Sequence, residues 1–327
     1  MNKVQVIGTG SYVPPRAITN EDLSRIVDTS DEWISSRTGI KERRISEGED
    51  TSNMATKAVV KALENSGVVA EDIDLIIVAT ITPDCFTPSV ACMVQSKINA
   101  VNATCFDISA ACAGLVYGLN IATQFIRTGI AKTALVIGAE TLSKIVNWKD
   151  RNTCVLFGDG ASAVMLKNSQ DREGILAVYS GSEGSKGYTL TCEAAPVDNP
   201  YIKEEDETID LNNKIKMDGR EVFKFGVRSI IQCTEKLLEH ASCSLEDIKY
   251  IVPHQANYRI IELAAKKLGI SEDRFYLNLN KYGNTSGASV GIALDEMNEK
   301  GLINKGDKIL LIGFGGGLTY GGLMIQW

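Results

Sequence analysis

Cys112, His254 and Asn284 are the residues whose types, taken together, could carry out nucleophilic chemistry in this chain. Cys112 stands in Asp107-Ile-Ser-Ala-Ala-Cys-Ala-Gly114, and no charge appears from Ile108 to Ile126. At the start of a helix a thiol meets amide groups that are unpaired and partially positive, so the position favours a thiolate and can hold an oxyanion. That effect is about 1 to 2 kcal/mol, enough to bring a thiol from about 8.5 to about 7.5, and a partner is still required. Taken alone, a free cysteine among alanines reads first as a small buried hydrophobe. The candidate partners are His254 in Val252-Pro-His-Gln-Ala-Asn257 and Asn284 in Gly283-Asn-Thr-Ser286. Each also has an ordinary reading, as a satisfied histidine after proline and as a turn or capping asparagine. A thiolate can hold an acyl group and release it again, whereas a serine alkoxide is a poor leaving group. A neutral imidazole and an amide can aim two N–H groups at an enolate oxygen, each worth about 3 kcal/mol.

These residues need elements to bring them together. Residues 104–109 are rich in β-formers and run into an apolar helix, leaving Cys112 at the turn between them. Ser109, Asn120, Thr123 and Gln124 interrupt the apolar run, so it reads as a buried central helix and not as a membrane span. Residues 3–10 alternate like a strand, and their GxG is assigned to a turn, with no helix following to make a nucleotide site. Helices are expected over 53–66 and 88–98 and buried strands over 74–80 and 133–139, with a tight glycine turn at 157–161 leading into a strand at 162–166.

The second half repeats the first. Glu71-Asp-Ile-Asp-Leu-Ile-Ile-Val78 matches Glu246-Asp-Ile-Lys-Tyr-Ile-Val252, and Lys61, Ala134 and Cys112 have counterparts at Lys236, Ile309 and Gly287, all 175 residues further on. One offset held over four segments implies a duplicated α/β unit, with halves at 1–170 and 171–327 around a pseudo-twofold axis and a pair of central helices. Partners of Cys112 then belong at strand ends and turns of the second half, where His254 and Asn284 lie. Residues 200–216 read as an exposed excursion.

Composition narrows the chemistry. With 327 residues, 44% hydrophobic content and a net charge of −7, nucleic acid is an unlikely partner and one large core or two fused ones is expected. Eight cysteines form no CxxC pair or disulfide framework, which fits a reducing cytoplasm. Two histidines, His240 and His254, exclude a His-rich metal site. The glycines of residues 313–322 could let backbone approach a substrate and aim N–H groups at it; the segment lacks the lysine of a P-loop.

Over essentially its whole length the chain resembles the β-ketoacyl-acyl-carrier-protein synthase III family of thiolase-fold condensing enzymes. The resemblance is carried by Asp107-Ile-Ser-Ala-Ala-Cys-Ala-Gly114, Phe157-Gly-Asp-Gly-Ala161, Val252-Pro-His-Gln-Ala-Asn257, Gly283-Asn-Thr-Ser286 and Phe314-Gly-Gly-Gly317. It implies a thiolase-like duplicated α/β fold, a five-layered αβαβα sandwich that forms a homodimer. It also implies a Cys112, His254, Asn284 triad and an oxyanion hole from the N–H groups of Cys112 and Gly316. The expected reaction is a decarboxylating condensation of a short acyl-CoA primer with malonyl-acyl-carrier-protein, initiating fatty acid synthesis. Coenzyme A thioester is then a substrate, with no tightly bound cofactor and no metal. A thiolase would need a second catalytic cysteine near the C-terminus, yet the last is Cys243, and an elongating Cys-His-His enzyme would need a second histidine, yet His240 is read as lying mid-helix.

By the same resemblance Trp33, Arg37 and Arg151 would clamp coenzyme A, by stacking and guanidinium pairing, with surface packing as the alternative. Lys224, Arg259, Lys266 and Lys267 would dock an acidic carrier protein, with a solvated face as the alternative. Phe86 and Phe314 mark the acyl pocket. Remaining alternatives are a condensing relative of secondary metabolism with another primer or acceptor, a non-catalytic carrier-binding subunit, and a papain-like hydrolase, which the duplicated pattern does not suit.

Overall fold

The computed structural model describes residues 2–170, 174–195 and 213–327. Two sheets organise it. The first takes β1 (Lys3–Tyr12), β2 (Leu75–Ala79), β3 (Thr104–Ile108), β4 (Thr133–Glu140) and β5 (Gly160–Ser169), in the order β1-β5-β4-β2-β3. The second takes β6 (Ile175–Ser182), β7 (Ile248–Pro253), β8 (Lys308–Gly315) and β9 (Thr319–Gln326), in the order β7-β8-β9-β6. Pairing repeats between them: β2 runs parallel to β4 as β7 does to β8, and β5 and β9 are antiparallel to their neighbours. At the place of β3 the second sheet has one bridge, Ile251 to Phe275.

Three apolar clusters divide these sheets from the helices and give five layers. The helices are α1 (Asp31–Thr38), α2 (Thr51–Ser66), α3 (Val90–Ile98), α4 (Gly114–Arg127), α5 (Gly219–Ala241), α6 (Tyr258–Leu268) and α7 (Ser289–Glu299). The central pair, α4 and α7, buries Leu115, Leu119, Val290 and Leu294 between inner faces of both sheets, with Ile77, Val136 and Leu311. Outside the first sheet, Met54, Ala58 and Val94 of α2 and α3 cover Ile76 and Ile137. Outside the second, Phe225, Ile230 and Ile261 of α5 and α6 cover Leu310 and Ile312. Local chemistry sets the helix ends. Asp218 accepts the amides of Arg220 and Glu221 to start α5, Asn257 accepts that of Arg259 to start α6, and Gly67 in the left-handed region ends α2.

The structure corrects several expectations. Gly8 and Gly10 lie inside β1 and not in a turn; a Cβ on Gly10 would come within 2.2 Å of the Ala58 carbonyl, so glycine serves the close approach of α2 to the sheet. Residues 157–161 are extended and not a tight turn, because Phe157 bridges Asn284, the Gly158 amide donates to the Asn284 carbonyl and that of Asp159 to Arg44. His240 sits exposed in the last turn of α5 and not mid-helix, its Nδ1 3.2 Å from the Val178 carbonyl. Of the 200–216 excursion, residues 200–212 lie outside the described residues; Asn213 and Lys216 are exposed, while Ile215 is buried and Lys216–Met217 pair with Leu190–Thr191, which anchors this end. No helix among the described residues is long and apolar enough to cross a membrane.

Candidate active site

Cys112 lies in a single tight turn, Ala111–Ala113, between β3 and α4. The turn is entered through Ala111 at φ 46, a left-handed conformation uncommon for a residue with a Cβ. Exactly 175 residues on, Ser286 takes φ 48 at the start of the turn Ser286–Ala288 that leads into α7. The duplication therefore extends to two strained residues, one in each half, at the two central helix starts. The glycines of β8 admit Cys112 closely: a Cβ on Gly315 would lie 2.7 Å from both the Cβ and the backbone nitrogen of Cys112.

His254 follows β7 in a short loop, four residues before α6 begins at Tyr258, and is buried. Its amide donates to the Ile312 carbonyl at 2.7 Å, and its ring meets that of Phe314 edge to face, centroids 5.2 Å apart. Gln255 braces the loop by donating to the carbonyls of Pro253 and Tyr276 and accepting the amides of Asn278 and Leu279. Asn284 is also buried, and its Oδ1 accepts the Ser286 amide at 2.8 Å. With the oxygen so occupied, Nδ2 is left as a donor without a partner among the described residues. The end of β8 thus gathers both partners: Ile312 and Phe314 hold His254, while Gly313 and Gly315 abut Cys112.

Electrostatics departs from the simple helix-start expectation. Burial pushes the Cys112 thiol up to about 12; the Ser286 side chain pulls it back down, the Glu140 carboxylate raises it further, and the thiol's own amide lowers it. Removing the sulfur from water thus outweighs the helix terminus, because a thiolate loses more hydration than one helix end returns. Burial also holds the His254 imidazole down to about 3, so it is neutral.

The other expected residues fall into two groups. The guanidinium groups of Arg37 and Arg151 stack on the Trp33 ring at 4.6 and 5.0 Å from its centroid, so these three form one cluster. Arg259 joins its edge by donating to the Ser36 carbonyl at 3.1 Å. Lys224 of α5 and Lys267 of α6 line one groove with Phe223, Val227, Arg228 and Leu263, while Lys266 is exposed beside it. Gly316 follows Gly315 directly and faces Ala111, whose Cβ would lie 3.3 Å from one built on it. Phe314 is buried against His254, but Phe86 is 85% exposed. Among the described residues no group of three His, Cys, Asp or Glu side chains could hold a metal ion.

Three site residues escaped the sequence reading: Glu140, Ser286 and Ser289. Nδ1 of His254 lies 2.7 Å from the Ser289 hydroxyl, and the Ser286 hydroxyl donates to Glu140 at 3.1 Å. The one available signal was a charge ending an otherwise apolar strand, Ala134-Leu-Val-Ile-Gly-Ala-Glu140.

Profiles of two families match the chain: "3-Oxoacyl-[acyl-carrier-protein (ACP)] synthase III" over residues 106–184 and its C-terminal counterpart over residues 238–327. The β-ketoacyl-[acyl-carrier-protein] synthase III of Clostridium kluyveri is 61% identical over 327 residues, covering 100% of this chain and 99% of the relative. That of Clostridium novyi is 59% identical, with both chains covered completely. Among solved structures, 3-oxoacyl-[acyl-carrier-protein] synthase III from Aquifex aeolicus superposes with a TM-score of 0.92 at 47% identity, over 99% of this chain and 100% of its own.

Proposed function

This chain belongs to the β-ketoacyl-[acyl-carrier-protein] synthase III family, and on that premise we propose that it joins an acyl-CoA primer to malonyl-acyl-carrier-protein, with loss of CO2, to begin fatty acid synthesis. The observation that carries the assignment of roles is the orientation of the two buried donors. Asn284 has its oxygen tied to Ser286, so Nδ2–H remains to meet a substrate oxygen, and His254 offers Nε2–H to the same oxygen in the tautomer whose Nδ1 accepts the Ser289 hydroxyl.

In the first stage the Cys112 thiolate attacks the thioester carbonyl of acyl-CoA. The amides of Cys112 and Gly316 hold the oxyanion, and collapse expels coenzyme A as its thiolate. In the second stage the carbon–carbon bond to the malonyl carboxylate breaks and CO2 leaves. The electron pair forms an enolate whose oxygen is held by His254 and Asn284. The enolate carbon attacks the acyl group on Cys112, and the cysteine leaves as thiolate. A neutral imidazole suits this, because it donates a hydrogen bond without a counter-charge.

The stacked cluster of Trp33, Arg37 and Arg151 supports binding of the coenzyme A adenine and phosphates. The lysines at the α5/α6 groove, with Arg259 between it and that cluster, support docking of an acidic carrier protein. Exposed Phe86 and the free edge of β3 support a homodimer, and eight unpaired cysteines support a reducing cytoplasm. The division at residue 170 is supported by the break between β5 and β6, which belong to different sheets.

The test is intact mass after incubation with acetyl-CoA. An acetyl adduct is expected on the native protein and none on Cys112→Ala; an equal adduct on both would remove the proposed nucleophile.

A further inference from the structure

The two halves meet at the ends of β4 and β8, and each end presses on the turn that opens the other half's central helix. In β8, a Cβ on Gly313 would lie 2.9 Å from the Ala113 Cα, and Gly315 abuts Cys112. In β4, 175 residues earlier, a Cβ on Gly138 would lie 2.3 Å from the Gly287 carbonyl oxygen, and the counterpart of Gly315 is Glu140. A hydrogen bond replaces close packing there, as Glu140 Oε1 accepts the Ser286 hydroxyl at 3.1 Å. The Glu140 side chain is fully buried and fixed from its own half, because Oε2 accepts Thr82 Oγ1 at 2.6 Å, the Ile81 amide at 3.1 Å and Thr80 Oγ1 at 3.3 Å.

Ser286 in turn decides which way Asn284 faces. The Asn284 backbone is held independently, its amide donating to the Leu156 carbonyl at 2.8 Å and its carbonyl accepting the Gly158 amide at 2.9 Å. Its side-chain amide fits the same space either way round. With Oδ1 on the Ser286 amide at 2.8 Å, Nδ2 is left to donate. Turned over, Nδ2–H would meet Ser286 N–H, donor against donor, and Oδ1 would confront an enolate oxygen. Ser286 presents its amide from a left-handed backbone, φ 48, which a residue with a Cβ adopts at a conformational cost.

Building on the reading of Asn284 as an enolate donor, we propose that Glu140 is a positioning residue for decarboxylation, acting through Ser286. Its carboxylate tethers the Ser286 hydroxyl, the tether holds the Ser286 amide on Asn284 Oδ1, and Nδ2–H is thereby kept toward the substrate. The first half orients a donor of the second, as Gly315 of the second half seats Cys112 of the first. Ala111, the counterpart of Ser286, reaches φ 46 with no hydroxyl. The turn can therefore form without this bond, and what the bond adds is a fixed direction for the amide.

The test uses the full chain and measures CO2 release from malonyl-acyl-carrier-protein. Thermal melts establish that each variant is folded. In Glu140→Gln the one remaining oxygen goes to the three donors of its own half, which leaves an amide nitrogen facing Ser286. Its kcat for CO2 release is expected to fall about tenfold with KM unchanged, while acetylation of Cys112, followed by intact mass, changes less than about threefold. Ser286→Ala cuts the same tether from the other side and should show the same loss of CO2 release, so the two variants are independent routes to the answer. Asn284→Ala alone should lose about 100-fold. Adding either substitution to Asn284→Ala should lower CO2 release by less than about twofold more, because no side-chain amide is left to orient. Losses that multiply in the double variants, or equal losses of CO2 release and acetylation in Glu140→Gln, overturn the positioning role and leave Asn284 as the donor. Wild-type CO2 release in either folded single variant does the same. If Asn284→Ala itself releases CO2 at the wild-type rate, the donor reading and the positioning role fall together.

Discussion

Nδ1 of His254 lies 2.7 Å from Oγ of Ser289, the first residue of α7, and the same oxygen accepts the Gln255 amide at 3.4 Å. With the Ser289 hydroxyl donating to Nδ1, Nε2 carries the imidazole proton, the tautomer that decarboxylation needs. Ser289→Ala removes that control of the tautomer. CO2 release from malonyl-acyl-carrier-protein is expected to fall about tenfold. Acetylation of Cys112, followed by intact mass, should change less than about threefold, since it does not use the imidazole donor. Equal losses in both assays would show general damage and not loss of the donor.

Because burial holds His254 down to about 3, its imidazole stays neutral across the working range. CO2 release measured on Cys112→Ala, which isolates decarboxylation from acyl transfer, should stay within about twofold from pH 8 to pH 5. A fall centred near pH 6.5 would mean that the imidazole protonates as it does in water.

Stability should respond to the two buried groups with opposite signs. The folded value of His254 lies below its ordinary 6.5, so between about 3 and 6.5 the unfolded chain binds the extra proton and stability falls as pH drops through that window. Glu140 is raised from its ordinary 4.5 to about 7, so its contribution is full at acid pH and is lost as pH rises through 7. The Tm of Glu140→Gln relative to wild type should therefore shift in the variant's favour between pH 5 and pH 8, as paired thermal melts would record.

Gly315 is irreplaceable on steric grounds. An added Cβ would sit 2.7 Å from the Cβ and nitrogen of Cys112, and the neighbour is backbone that cannot swing aside. Gly315→Ala should cost about 1 to 3 kcal/mol in denaturant melts and slow Cys112 acetylation at least about 100-fold, because the thiol proposed as nucleophile is displaced.

Trp33→Ala should act on binding alone. It removes the ring on which Arg37 and Arg151 stack, so KM for acetyl-CoA is expected to rise about tenfold with the maximal acylation rate little changed. A lower maximal rate with unchanged KM would move the cluster out of the coenzyme A site.

The elements and their duplication were legible in the order of the residues. Apolar periods of two and 3.6 residues mark strands and helices locally, so the offset of 175 between Cys112 and Gly287 was visible without coordinates, and it pointed to the loops that carry His254 and Asn284. The extended path of residues 157–161 was not visible there, since glycine suits both a turn and a close approach, and only the bridge from Phe157 to Asn284 distinguishes them. The chemical state of the site was likewise left to tertiary structure. Ser286 reaches Glu140 across 146 residues of chain and Ser289 reaches His254 across 35, and no local pattern encodes such contacts. The helix start that argues for an acidic thiol is present, but the layers packed over Cys112 remove its water and reverse the outcome. Residue type and spacing fix which groups are available; desolvation and long-range hydrogen bonds, which exist only once both halves have packed, decide which of them carry a proton.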